Sequence, residues 1–151
     1  MSARPPHWIP RLARWSLALI LAGNALFMLG APRLWFDTIP GVPFTGPFNH
    51  HFVQDIGCAY LVCALGLAWR AWVPTAWPAA VLSALFLLMH GGVHVLDLAQ
   101  GRCSSGVFLR DVPAVILPAL MALWLAPPAW PWPLAHAHAQ ANANLPRRTA
   151  S

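Results

Sequence analysis

Histidine and aspartate recur at helical spacing in two short apolar stretches of this chain. FNHHFVQDIG carries His50, His51 and Asp55, and LLMHGGVHVLDL carries His90, His94 and Asp97. His51 and Asp55 are four residues apart, as are His90 and His94, and Asp97 follows three later. On helices, therefore, each set shares one face. Imidazole nitrogens and carboxylate oxygens are ligands for Zn, Fe, Mn or Cu(II), and His at i and i+4 presents two nitrogens to one ion. The expected chemistry is a divalent transition-metal site with His51, Asp55, His90, His94 and Asp97 as ligands. His50, Asp111 and Arg110 are accessory groups. A metal held there would activate water or handle electrons.

Two other readings use the same residues. In one, Asp55, Asp97 and Asp111 pair with Arg102 and Arg110, and the histidines complete a structural or proton-linked network in a non-enzymatic membrane subunit. In the other, His50 or His51 faces His90 or His94 across a haem b, or a quinone takes that place, in an electron-transfer protein. Haem is the lesser cofactor expectation, because carboxylates crowd the faces that a porphyrin needs apolar.

The elements that position these groups are membrane spans. Of the 151 residues, 58% are apolar and 9% charged, against about 25% charged in a soluble domain. Four stretches, Leu12–Ala31, His51–Trp72, Ala76–Leu98 and Val107–Ala126, approach the roughly 20 residues that cross a bilayer core of about 30 Å. The first follows Arg11 and Arg14 and reads as an uncleaved anchor rather than a signal peptide; its cleavage would leave three spans. Ionisable groups in such segments are costly and mark functional sites by default. The net charge of +5 comes from scattered arginines with little acid to offset them. No basic run with interleaved aromatics suggests nucleic acid.

Short loops between successive spans predict an all-α, up-down-up-down four-helix transmembrane bundle over residues 1–126, followed by a disordered cytoplasmic tail over residues 127–151. In the first loop, Pro40-Gly41 and Gly46-Pro47 mark turns, and Asn49 is placed to cap the second helix. Ser104 or Ser105 is placed to cap the fourth, which Pro113 and Pro118 should bend. Arg4, Arg11, Arg14, Arg70, Arg147 and Arg148 fall on one side, and Arg33, Arg102 and Arg110 on the other, which puts both termini in the cytoplasm. Trp15, Trp69, Trp72, Trp77 and Trp124 would belt that side, with Trp35 opposite. The absence of Lys and Glu, with abundant Ala, Pro, Gly and Trp, fits a GC-rich bacterial coding bias and hence a bacterial inner membrane.

Antiparallel packing of spans two and three is expected to set Asp97 level with His51, His94 level with Asp55 and His90 level with Cys58. Cys58 and Tyr60 read as packing residues, and Asn24 as an interhelical hydrogen-bonding group. No CxxC motif supports thiol chemistry. His136 and His138 read as part of a solvated tail. The inner halves of the spans carry almost no polar groups, which argues against a transport route through one copy.

Four short-looped spans, with a Gly-containing second span reading DIGCAYLVCALGLAW, resemble DoxX-like small bacterial membrane proteins. The resemblance covers roughly Leu12–Ala126 and is one of layout. It implies association with membrane redox enzymes and assigns no residue. The expected partners are the lipid bilayer and either a second copy or a membrane redox protein.

Overall fold

A computed structural model of the chain describes residues 8–128. The expected tail, with His136 and His138, falls almost wholly outside the described residues. α1 (Trp8–Gly30) is followed by a short α2 (Pro32–Thr38), then α3 (His50–Trp72), α4 (Trp77–Ala99), α5 (Ser105–Asp111) and α6 (Leu117–Leu125). A π-helical turn, Val112–Ile116, joins α5 to α6, so the two form one span of 21 residues. The described residues contain no strand.

Four helical segments are long and apolar enough to cross a membrane: Trp8–Gly30, His50–Trp72, Pro74–Ala99 and Ser105–Leu125. Helices satisfy their own backbone groups, which a hydrocarbon environment demands. Leu19, Ile20, Val62, Leu82 and Met89 are all more than 60% exposed. Water would penalise so continuous an apolar surface, whereas lipid accepts it. The fold is that of a multi-pass membrane protein.

The four spans run up-down-up-down around a ring. The end of α1 meets the start of α3, the end of α3 meets the start of α4, and the end of α4 meets the start of α6. Arg14 of α1 bonds the end of α6 and closes the ring. The core is built from small and aliphatic side chains, including Leu17, Leu21, Ala25, Met28, Ala64, Leu67, Leu87 and Ala122. Lipid provides no hydrophobic drive between helices, so close backbone approach and dispersion hold them together. Gly57 lets α3 lie against α1: a Cβ there would stand 3.0 Å from Met28 Cβ and 3.4 Å from the Ala25 carbonyl oxygen. Gly66 does the same against α4, where a Cβ would overlap the Ser83 hydroxyl.

Local signals act as their chemistry dictates. Asn49 Oδ1 accepts from Phe52 N–H at 3.1 Å and starts α3. Ser104 Oγ accepts from Val107 N–H at 3.4 Å and starts α5. Pro113, at the second position of the π turn, brings the distortion expected of the fourth span. α2 was not expected. Pro32 at its first position supplies a helical φ, and its Trp35 indole donates to Asn24 Oδ1 at 2.9 Å, pinning this short helix onto α1. Asn24 is thus an interhelical group, as its isolated polarity in the first span suggested.

Candidate functional site

α4 positions the histidines. His90 and His94 lie on the stripe that includes Ser83 and Leu87, both buried, so α4 turns its imidazoles toward the bundle rather than toward lipid. Gly91, adjacent to His90, lets the π turn and α6 approach: a Cβ there would stand 3.3 Å from Ile116 Cδ1. This approach carries α5 with it and sets Asp111 beside His94.

His94 Nδ1 and Asp111 Oδ2 are 2.8 Å apart, and the two side chains are 27% and 17% exposed. An ionised carboxylate only accepts hydrogen bonds, so Nδ1–H is the donor and the lone pair of a neutral His94 lies on Nε2. Asp111 therefore fixes both the tautomer and the ring orientation. The His90 ring centroid is 5.0 Å from that of His94, edge to face. His90 also stacks on Phe86 at 6.1 Å and meets the Tyr60 ring edge-on at 5.6 Å. Tyr60, on α3, is itself buried. Tyr60, Phe86, His90, His94 and Asp111 form a continuous row of five side chains from α3 through α4 to α5. Counting from Ala99, His94 lies about 7.5 Å and His90 about 13.5 Å from the end of the helix.

The five residues expected to bind one metal are not brought together. His51 and Asp55 pair only with each other, at 3.4 Å, and their side chains are 87% and 60% exposed. Asp97 bonds Arg102 at 3.3 Å near the surface. His50, Cys58 and Arg110 are exposed, and His50 lies edge-on to Phe48 at 6.3 Å. Among the described residues, no three His, Cys, Asp or Glu side chains stand close enough to share a metal ion.

Helical geometry explains the separation. α3 buries Val53, Gly57, Tyr60, Ala64, Leu67 and Ala71. Residues two apart differ by about 200° around a helix, so Asp55 and Cys58 point away from the face that buries Val53 and Tyr60. His51 and Asp55 occupy the first turns of α3, where headgroup water reaches them and outward exposure costs little. The polar stripe of α3 thus faces out, and the small apolar stripe faces the bundle.

Tyr60 is a packing residue, as its sequence position indicates, whereas Asp111 is more than the accessory group that spacing alone suggests. Asp111 is the direct partner of His94. The usable signal was the small residue Gly91, which marks the α4 face that the fourth span approaches. A groove of about 480 Å³ opens between α3 and α4, lined by Ala59, Cys63, Gly66, Ala79, Ser83 and Phe86 among others. Its walls are almost wholly apolar, and it touches the row only through Phe86. No protein-family model matches the chain, and neither a curated protein nor a solved structure is significantly similar to it.

Proposed function

We propose that this multi-pass membrane protein carries a proton-accepting His–carboxylate site at one end of its bundle, formed by His94 and Asp111 with His90 beside them. The observation that carries the reading is the 2.8 Å contact between His94 Nδ1 and Asp111 Oδ2 on separate helices, with both side chains largely withdrawn from the surface. A proton arriving at Nε2 makes the ring cationic directly beside a carboxylate, so the pair takes up charge without leaving an isolated ion in the membrane. His90 lies next in the row, its ring 5.0 Å from that of His94 and edge to face with it, and Phe86 and Tyr60 close the row on the inner side.

The same contact favours one alternative. A metal-ligating histidine characteristically donates its other ring N–H to a carboxylate. His94 Nε2, oriented by Asp111, and a nitrogen of His90 would then be the two protein ligands of a divalent transition metal. Haem has no comparable support, because His90 is already packed between Phe86 and Tyr60.

Metal content and imidazole NMR on the purified chain separate these readings. Metal-free protein in which His94 titrates, with a titration curve displaced by Asp111→Asn, supports the proton site. Stoichiometric metal that disappears in His94→Ala supports the alternative. A His94 signal that neither titrates nor responds to Asp111→Asn, in metal-free protein, removes both.

A further inference from the structure

The opposite end of the bundle holds positive charge that none of the chain's acidic side chains neutralises. All four acidic side chains are Asp37, Asp55, Asp97 and Asp111. Every one lies at or near the end where α1 and α4 finish and α3 and α5 begin. At the other end, Arg14 and Arg70 converge on the last turn of α6. Arg14 Nε donates to the Leu125 carbonyl at 2.8 Å. Arg70 donates through Nε to the Ala126 carbonyl and through Nη2 to the Pro127 carbonyl, both at 3.4 Å. Arg70 is only 6% exposed.

These bonds cap a helix C-terminus, but they do not balance the charge. A helix end contributes about half a negative charge, against two guanidinium cations and the exposed Arg11 one turn earlier on α1. Each guanidinium has five N–H donors, and the carbonyls engage one on Arg14 and two on Arg70. Arg14 is only partly buried, so its uncommitted N–H edge is the one that a ligand from outside reaches, with the buried Arg70 behind it. Their level is also defined. Trp69 and Trp72, on either side of Arg70, are 59% and 73% exposed, and Trp124, just before Leu125, is 68% exposed. Exposed tryptophans gather at the membrane–water interface, where lipid phosphates lie.

We infer that Arg14 and Arg70 form a binding site for the phosphate of an anionic lipid headgroup. The planar guanidinium fork matches phosphate oxygens two at a time. A lipid phosphate would supply the negative charge missing from this end while its acyl chains lie along the apolar outer faces of the spans. This site is at the far end of the bundle from His94 and Asp111, so its fate is independent of theirs.

The test uses the full chain purified in detergent, with native mass spectrometry to count bound lipid. Phosphatidylglycerol is expected to be retained and phosphatidylcholine to be lost. Arg14→Gln is expected to weaken phosphatidylglycerol binding about tenfold, equal to about 1.4 kcal/mol. Arg14→Lys keeps the charge without the fork and is expected to fall between. Arg33→Gln, at the other end, is expected to change nothing. Arg70→Gln removes a buried cap and is read only if the variant folds; the Arg14 pair carries the test without it. Inorganic phosphate that displaces the lipid shows that free phosphate also satisfies the site, whereas failure to displace assigns it to the lipid. Equal retention of both lipids, or undiminished phosphatidylglycerol binding in Arg14→Gln, overturns the inference.

Discussion

His94 and Asp111 form the contact on which the polar end turns. A hydrogen bond to a charged group is worth about 1.5–3 kcal/mol, and losing one partner leaves the other half-buried without compensation. His94→Leu and Asp111→Leu are each expected to destabilise the detergent-solubilised protein by about 1–3 kcal/mol. The double variant should cost clearly less than their sum, because neither then strands a charged partner. Thermal unfolding of the four proteins measures the coupling. Strict additivity would mean that the 2.8 Å contact carries no energy. The exposed pairs provide the contrast. Arg33–Asp37, at 2.7 Å, is 68% and 46% exposed, and a surface pair of this kind contributes about 0–1 kcal/mol. Even with the Arg33 guanidinium 5.1 Å above the Phe48 ring, Asp37→Asn is expected to lower stability by less than Asp111→Leu does.

Helix faces decide which ionisable groups meet. α3 packs through Gly57 against α1 and through Gly66 against α4, and both approaches depend on a missing Cβ. Gly57→Leu should force Met28 and Leu29 aside and destabilise the bundle by about 1–3 kcal/mol, the cost of overpacking. Gly23→Leu, where a Cβ meets nothing within 4 Å, should be close to neutral. Comparable losses in the two variants would contradict the packing described for α1 and α3. The same helix shows what was legible in the sequence. Length and apolarity located all four spans to within a few residues, and Asn49 and Ser104 cap where their side chains and positions indicated. Spacing also revealed that His90 and His94 share a face, and that His51 and Asp55 do. It did not reveal which face of α3 turns inward. The stripe His51, Asp55, Cys58, Val62 and the stripe Val53, Gly57, Tyr60, Ala64 are both regular, and in a bilayer either could face lipid. The choice rests on which stripe lets backbones approach, so Gly57 and Ala64 outrank the polar groups. The partner of His94 was hidden for a related reason. The π turn at Val112–Ile116 alters the phase of the fourth span, so counting in steps of 3.6 does not fix where Asp111 points.

Across the whole molecule, charge is sorted by end. The carboxylates, His90 and His94 belong to one end, together with Arg33, Arg102 and Arg110, whereas Arg11, Arg14 and Arg70 lie at the other without an acidic side chain, together with both limits of the described chain. Arginine asymmetry in short loops sets the orientation of membrane proteins, and acidic residues contribute little to it. The described residues carry three arginines at each end, so the asymmetry rests on Arg4, Arg147 and Arg148 in the sequence; counted with them, the Arg14 end is expected to face the cytoplasm and the His94–Asp111 end the opposite compartment. Two positions report this directly. Cys103 sits in the loop between α4 and α5, at the His94 end, and is partly exposed. Thr75 sits in the turn between α3 and α4, at the Arg14 end, and is exposed. In a background with Cys58→Ala and Cys63→Ala, a membrane-impermeant maleimide applied to intact cells should label Cys103. In that background with Cys103→Ser added, Thr75→Cys should be labelled only after the membrane is opened. The reverse pattern would place His94 and Asp111 on the cytoplasmic side. Labelling of both positions in intact cells would mean mixed insertion, and arginine asymmetry would then not be what orients this bundle.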